Sequence, residues 1–234
     1  MRKLLGMSAV VCGFLSLGVF LPTIASATLI YDNGVPGSSG VGGTEMSNSF
    51  LAEDFTLTQA ATLNLVRFWN SQDSIPGCCY AGSITWGIYS NGAAKPGVPL
   101  AGPTNTTAVT RTPTGVVGRN EYQNDVALPS VLLSPGTYWL ALHNGPLAPN
   151  GDLHFYWEWH PASAGDTSAQ CNPSSTVTCL STTDWSTASN QEYDFQLFGD
   201  AVVGVVPEPS TLLLMGFALP GLAGVSIHRR RRIA

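Results

Sequence analysis

Apolar residues recur at every second position through the middle of this chain, a spacing that suits a strand and not a helix. In "DFTLT", Phe55 and Leu57 share one side while Asp54, Thr56 and Thr58 share the other. Ile84, Trp86 and Ile88 form a stripe in "SITWGIY", and Tyr138, Leu140 and Leu142 do so in "GTYWLALH". In "EYDFQLF", Tyr193, Phe195 and Leu197 alternate with Glu192, Asp194 and Gln196. No segment between residues 28 and 206 carries a convincing helical period, and Gly, Pro, Ser, Thr and Asn supply turns between the stripes. The pattern predicts an all-β fold: an antiparallel β-sandwich, jelly-roll-like, of about eight strands with polar outer faces. It does not fix strand order.

Both ends are built differently. Residues 1–27 have the parts of an export signal: Arg2 and Lys3, an uncharged apolar stretch from Leu4 to Leu21, and the small-residue site Ala25-Ser26-Ala27. Mature protein then starts at Thr28, and Cys12 leaves with the signal. Near the other end, residues 211–227 give 17 positions without a charge, roughly 25 Å of helix and just enough for a bilayer core. Leu212 to Leu214 and Phe217 to Leu219 leave no polar face, which argues against a surface-lying helix. Arg229, Arg230, Arg231 and Arg232 follow, and positive charge stays cytoplasmic, so the middle of the chain lies outside.

Pro207, Glu208 and Pro209, then the apolar span, then the arginine cluster, stand in that order at the chain end. This tail resembles the PEP-CTERM sorting signal of bacterial envelope proteins. The resemblance implies recognition by an exosortase, a membrane-embedded cysteine transpeptidase-like enzyme, with cleavage near the Pro-Glu-Pro element. It also implies a Gram-negative host that makes exopolysaccharide, and a mature protein without a transmembrane helix, as with a GPI signal. Hydropathy alone would equally allow a plain tail anchor. The expected organisation is a signal peptide at 1–27, a passenger domain at 28–200, a linker at 201–206 and a sorting signal at 207–234. Two phrases, "WGIYSNGAAKPGVPLA" and "LLSPGTYWLALHN", are similar to elements of sandwich domains in secreted bacterial proteins, which bears on architecture only.

The passenger is acidic. Arg67, Lys95, Arg111 and Arg119 face fourteen Asp and Glu up to Asp200. That balance argues against nucleic-acid binding, which needs a basic footprint. Cys78, Cys79, Cys171 and Cys179 remain after signal removal, an even number that favours disulfides in an exported protein. A bond between the adjacent pair is uncommon. Closure of the 171–179 loop and two bridges joining the regions are both open. A tetrathiolate zinc site lacks the Cys-x-x-Cys spacing.

The sharpest constellation is "DLHFYWEWHP". On a strand His154, Tyr156, Glu158 and His160 share one face, and Phe155, Trp157 and Trp159 the other. Three readings stay open: a metal or acid–base site, a sugar platform using Tyr156 or an exposed Trp with Glu158 or His154, or a plain strand whose polar face meets water. Side chains two apart stand roughly 6.5 Å from each other, so shared ligation needs a neighbouring element. Glu53, Asp54 and Asp125 read as solvated strand and turn residues. The chain has no Gly-x-Ser-x-Gly, His-Glu-x-x-His or phosphate-loop signature, and "VPGSSGVGG" at 35–43 reads as a flexible loop. The expectation is a non-enzymatic exported protein without a cofactor, structural or adhesive in an exopolysaccharide layer. Its partners would be an exosortase-type enzyme, the inner membrane and extracellular polysaccharide. The alternatives are a carbohydrate-binding module and a secreted hydrolase.

Overall fold

The computed structural model describes residues 27–37, 42–74, 78–116, 120–148, 151, 153–161, 167–174, 176–189 and 191–202. The first strands in chain order are β1 (Thr28–Asp32), β2 (Gly42–Glu45), β3 (Phe50–Leu57), β4 (Ala61–Gln72), β5 (Ile84–Asn91), β6 (Pro96–Thr106) and β7 (Val109–Pro113). They are followed by β8 (Glu121–Leu133), β9 (Gly136–Asn144), β10 (Phe155–Pro161), β11 (Thr167–Cys171), β12 (Ser186–Ser189), β13 (Gln191–Tyr193) and β14 (Phe195–Ala201). The extra strands beyond the expected eight are mostly short, polar or glycine-bearing ones, such as β2, β7 and β13, which carry no apolar alternation to announce them.

These strands form two antiparallel sheets. One runs β1-β14-β4-β10-β13, with β2 on β10, β8 on β4 and β7 on β8; the other runs β12-β11-β3-β9-β5-β6. The alternating stripes meet between them: Leu51 and Phe55, Ile84, Trp86 and Ile88, and Leu140 and Leu142 of the second sheet pack with Val66, Phe68, Trp157, Phe195 and Leu197 of the first. The all-β expectation and the inward stripes hold. Among the described residues no helix is long and apolar enough to cross a membrane. The signal segment before Ala27, Pro207, Glu208, Pro209, the span at 211–227 and the arginines at 229–232 lie outside the described residues.

Two glycines are dictated by contact. A Cβ on Gly42 would fall inside the Trp159 ring, and one on Gly199 would overlap Thr62 O, where β14 shifts register against β4. Gly42 and Gly43 are therefore strand residues paired with β10, whereas the sequence pattern reads them as loop.

The polar-outer-face expectation fails on the second sheet. Phe50, Ala52, Tyr89, Trp139 and Ala141 sit on its far side, buried with Ala169, Cys171, Cys179 and Trp185 in a second cluster. The segment after β11 covers them. Cys171 pairs with Cys179, their Cα atoms 5.8 Å apart, and a 3-10 turn at Thr182–Asp184 is capped by Ser181, so that Trp185 lands on Phe50 and Tyr89. Cys78 pairs with Cys79. Both pairs close locally, so bridges joining the two cysteine regions are not formed.

Candidate functional site

The face of β10 opposite the core is the natural place to look for chemistry, and the structure splits its four polar side chains into two groups. His154 precedes the strand with φ +57°, a left-handed conformation that takes it out of the alternation. Its Nδ1 lies 3.0 Å from Tyr156 Oη and 3.5 Å from Asp73 Oδ2. At the other end His160 Nδ1 lies 2.6 Å from Asp194 Oδ1, and Nε2 lies 3.5 Å from Glu192 Oε2. Six residues of strand separate the two histidines by roughly 20 Å, so they do not converge on one ion. Among the described residues no group of three His, Cys, Asp or Glu is placed to hold a metal.

Between the two lies Glu158, which is fully buried and not on a wet face. Asp194 is buried as well, because the chain turns there from β13, which pairs with β10, into β14, which pairs with β4. Burial pushes the Asp194 carboxyl up to about 6 against the pull of His160. Glu53 departs furthest from expectation. It stands on the core side of β3 between Leu51 and Phe55, 1% exposed, and accepts from Tyr193 N at 2.9 Å and Asp54 N at 3.2 Å. Desolvation outweighs these donors and raises its carboxyl to about 9, so Glu53 is a neutral acid at physiological pH and not a solvated carboxylate. Asp125 is half-buried, held by Arg67 through Nε at 2.7 Å and Nη2 at 2.9 Å.

The tryptophans of β10 turn toward the core. Trp157 is wholly buried, stacked on Tyr193 at 4.6 Å, and donates Nε1–H to Asp194 O at 3.0 Å. Trp159 packs against the core. Tyr156 remains half-buried on the outer face.

A second constellation went unnoticed in the sequence. Arg111 on β7 points toward the end of the sandwich, where its guanidinium carbon lies 4.4 Å over the ring of Tyr80, 4.3 Å over Tyr122 and 5.4 Å over Phe155. Nε donates to Asn124 Oδ1 at 2.9 Å, and Nη2 donates to Gln72 Oε1 at 2.9 Å and Asn70 Oδ1 at 3.3 Å. Asn124 Nδ2 in turn donates to Asn70 Oδ1 at 2.8 Å, and both asparagines are fully buried. This is an arginine set in amide oxygens instead of carboxylates, and burial lowers its pKa. A lone arginine in a five-residue polar strand gives no pattern; the signal would have been its buried Asn partners, which alternation assigns to the core.

Two packed sheets, a sparse set of buried carboxyls and an aromatic-lined arginine define an acidic all-β domain. The family model for the PEP-CTERM protein-sorting motif matches residues 205–232, and the chain carries that motif. The match supports export and the handling of a membrane-held precursor by an exosortase. No curated protein and no solved structure matches the chain.

Proposed function

We propose that the chain is a non-enzymatic exported protein, delivered to the outer envelope or extracellular matrix and structural or adhesive within an exopolysaccharide layer. The motif at residues 205–232 carries this reading. In it the leader is removed before Thr28, the span at 211–227 holds the precursor in the inner membrane with the arginines inside, and the jelly-roll-like sandwich is released or passed on after cleavage near Pro207. The test is intact mass and cell fractionation of the protein from its native host. A form starting near Thr28 and ending near Pro207 to Ser210, found outside the inner membrane, is expected. A form ending at Ala234 in the inner membrane would make this a plain anchored domain and remove the matrix role. A second reading, carbohydrate binding, is favoured by the Arg111 surroundings.

A further inference from the structure

We propose that Arg111, Tyr80 and Tyr122 at the end of the sandwich form a binding site for a neutral sugar unit, a site that would give the matrix role proposed above its ligand. Five N–H groups belong to a guanidinium, and three of them, one on Nε and two on Nη2, are committed to Asn124, Gln72 and Asn70. The two on Nη1 make no hydrogen bond to any described residue, and Nη1 is not among the buried unpartnered atoms. The hydroxyls of Tyr80 and Tyr122 are in the same position: neither is bonded to a described residue and neither is buried. One fixed pair of donors therefore stands beside two phenol rings whose hydroxyls can both donate and accept.

The arrangement is held before any ligand arrives. Three amide oxygens and two aromatic rings fix the guanidinium, so little side-chain entropy remains to be lost on binding. No carboxylate among the described residues is within ion-pair distance of it. Such a donor could attract an anion, but the passenger's fourteen acidic residues against four basic ones repel polyanions, on the same physics that excludes nucleic acid. A neutral saccharide escapes that repulsion. A vicinal diol accepts from both Nη1 hydrogens and donates to phenol oxygens. A few such bonds in a wet site give affinity on the order of millimolar for one unit, which repetition along a polymer multiplies.

The experiment titrates the full chain in mild detergent with neutral glucose, galactose and mannose hexasaccharides, a galacturonate hexasaccharide and sodium sulfate, reading guanidinium 15N shifts and calorimetric affinity. Arg111→Met and Tyr122→Phe are run alongside; the latter removes a hydroxyl that bonds to no described residue, so it leaves the fold intact. At least one neutral hexasaccharide is expected to shift the Arg111 resonances, with affinity reduced tenfold or more in Arg111→Met and severalfold in Tyr122→Phe. Shifts with galacturonate or sulfate alone, no shift with any neutral sugar, or affinity unaltered in both variants would each overturn the assignment. Mass and fractionation of Arg111→Met separate this from sorting: a correctly delivered variant that has lost sugar binding leaves delivery standing, and a misdelivered wild-type chain that still binds sugar leaves the site standing.

Discussion

Replacing Glu53 by glutamine removes one proton-releasing group from the core while keeping its shape, and the effect on stability has a definite sign. In the fold this carboxyl is pushed from 4.5 to about 9, mainly by desolvation, with Asp54 and Glu192 adding to the rise and the backbone N–H groups of Tyr193 and Asp54 opposing it. Between those values the folded chain keeps the proton and the unfolded chain has released it. Stability therefore falls as pH rises, by at most about 1.4 kcal/mol per pH unit for one proton. Two other buried groups must be kept out of the window. Asp194, raised from 3.8 to about 6, acts in the same direction but is finished near pH 6. His143, lowered by burial, acts in the opposite direction below its ordinary value of 6.5. From pH 7.0 to 8.5 the wild type should lose about 2 kcal/mol and the Glu53→Gln protein should lose almost none. Urea unfolding at these two pH values, disulfides intact, measures both. Equal slopes in the two proteins, or a wild type that gains stability with pH, would refute the buried neutral acid.

Two further perturbations test the packing. Trp157→Ala empties a fully buried site against Tyr193, Phe68 and Phe195 and should cost about 3–5 kcal/mol in urea or thermal unfolding, whatever sugar is present. A loss under about 1 kcal/mol would mean Trp157 is not in the core. Replacing Cys171 and Cys179 by alanine removes a constraint on a short loop, worth roughly 2.5 kcal/mol on the chain-entropy model, and should raise binding of a hydrophobic dye as the second cluster opens. Unaltered dye binding would show that Trp185 stays in place without the bond.

The sandwich was legible because its inner stripes obey one rule. Ile84, Trp86 and Ile88 all reach the core, as do Leu140, Leu142, Phe195 and Leu197. What stayed hidden breaks that rule for a local reason. Glu53 occupies a core position in the Leu51–Phe55 stripe, so its charge reads as an edge, and only the fold reveals that desolvation makes it neutral. Asp194 looks like an outward residue of a continuous strand because the turn between β13 and β14 leaves no glycine or proline signal. Phe50, Tyr89 and Trp139 fall on the expected wet side and are covered by a segment more than thirty residues away in sequence from the nearest of them, at a distance no period encodes. His154 takes a left-handed backbone just before β10 yet still meets Tyr156, while Glu158 of the same stretch is buried, a difference that alternation does not encode.

The cover over that second cluster depends on its redox surroundings in a way the sandwich does not. Its tie, Cys171 to Cys179, lies outside the layer that joins the two sheets, so breaking it removes no contact between them. Cytoplasmic thiols are kept reduced. Under reducing conditions Phe50, Tyr89 and Trp139 thus lie beneath a cover that lacks its covalent tie. Oxidation restores the tie between Cys171 and Cys179. The finish of this face is in that sense a redox property, set by one covalent bond, whereas the core between the sheets is set by packing.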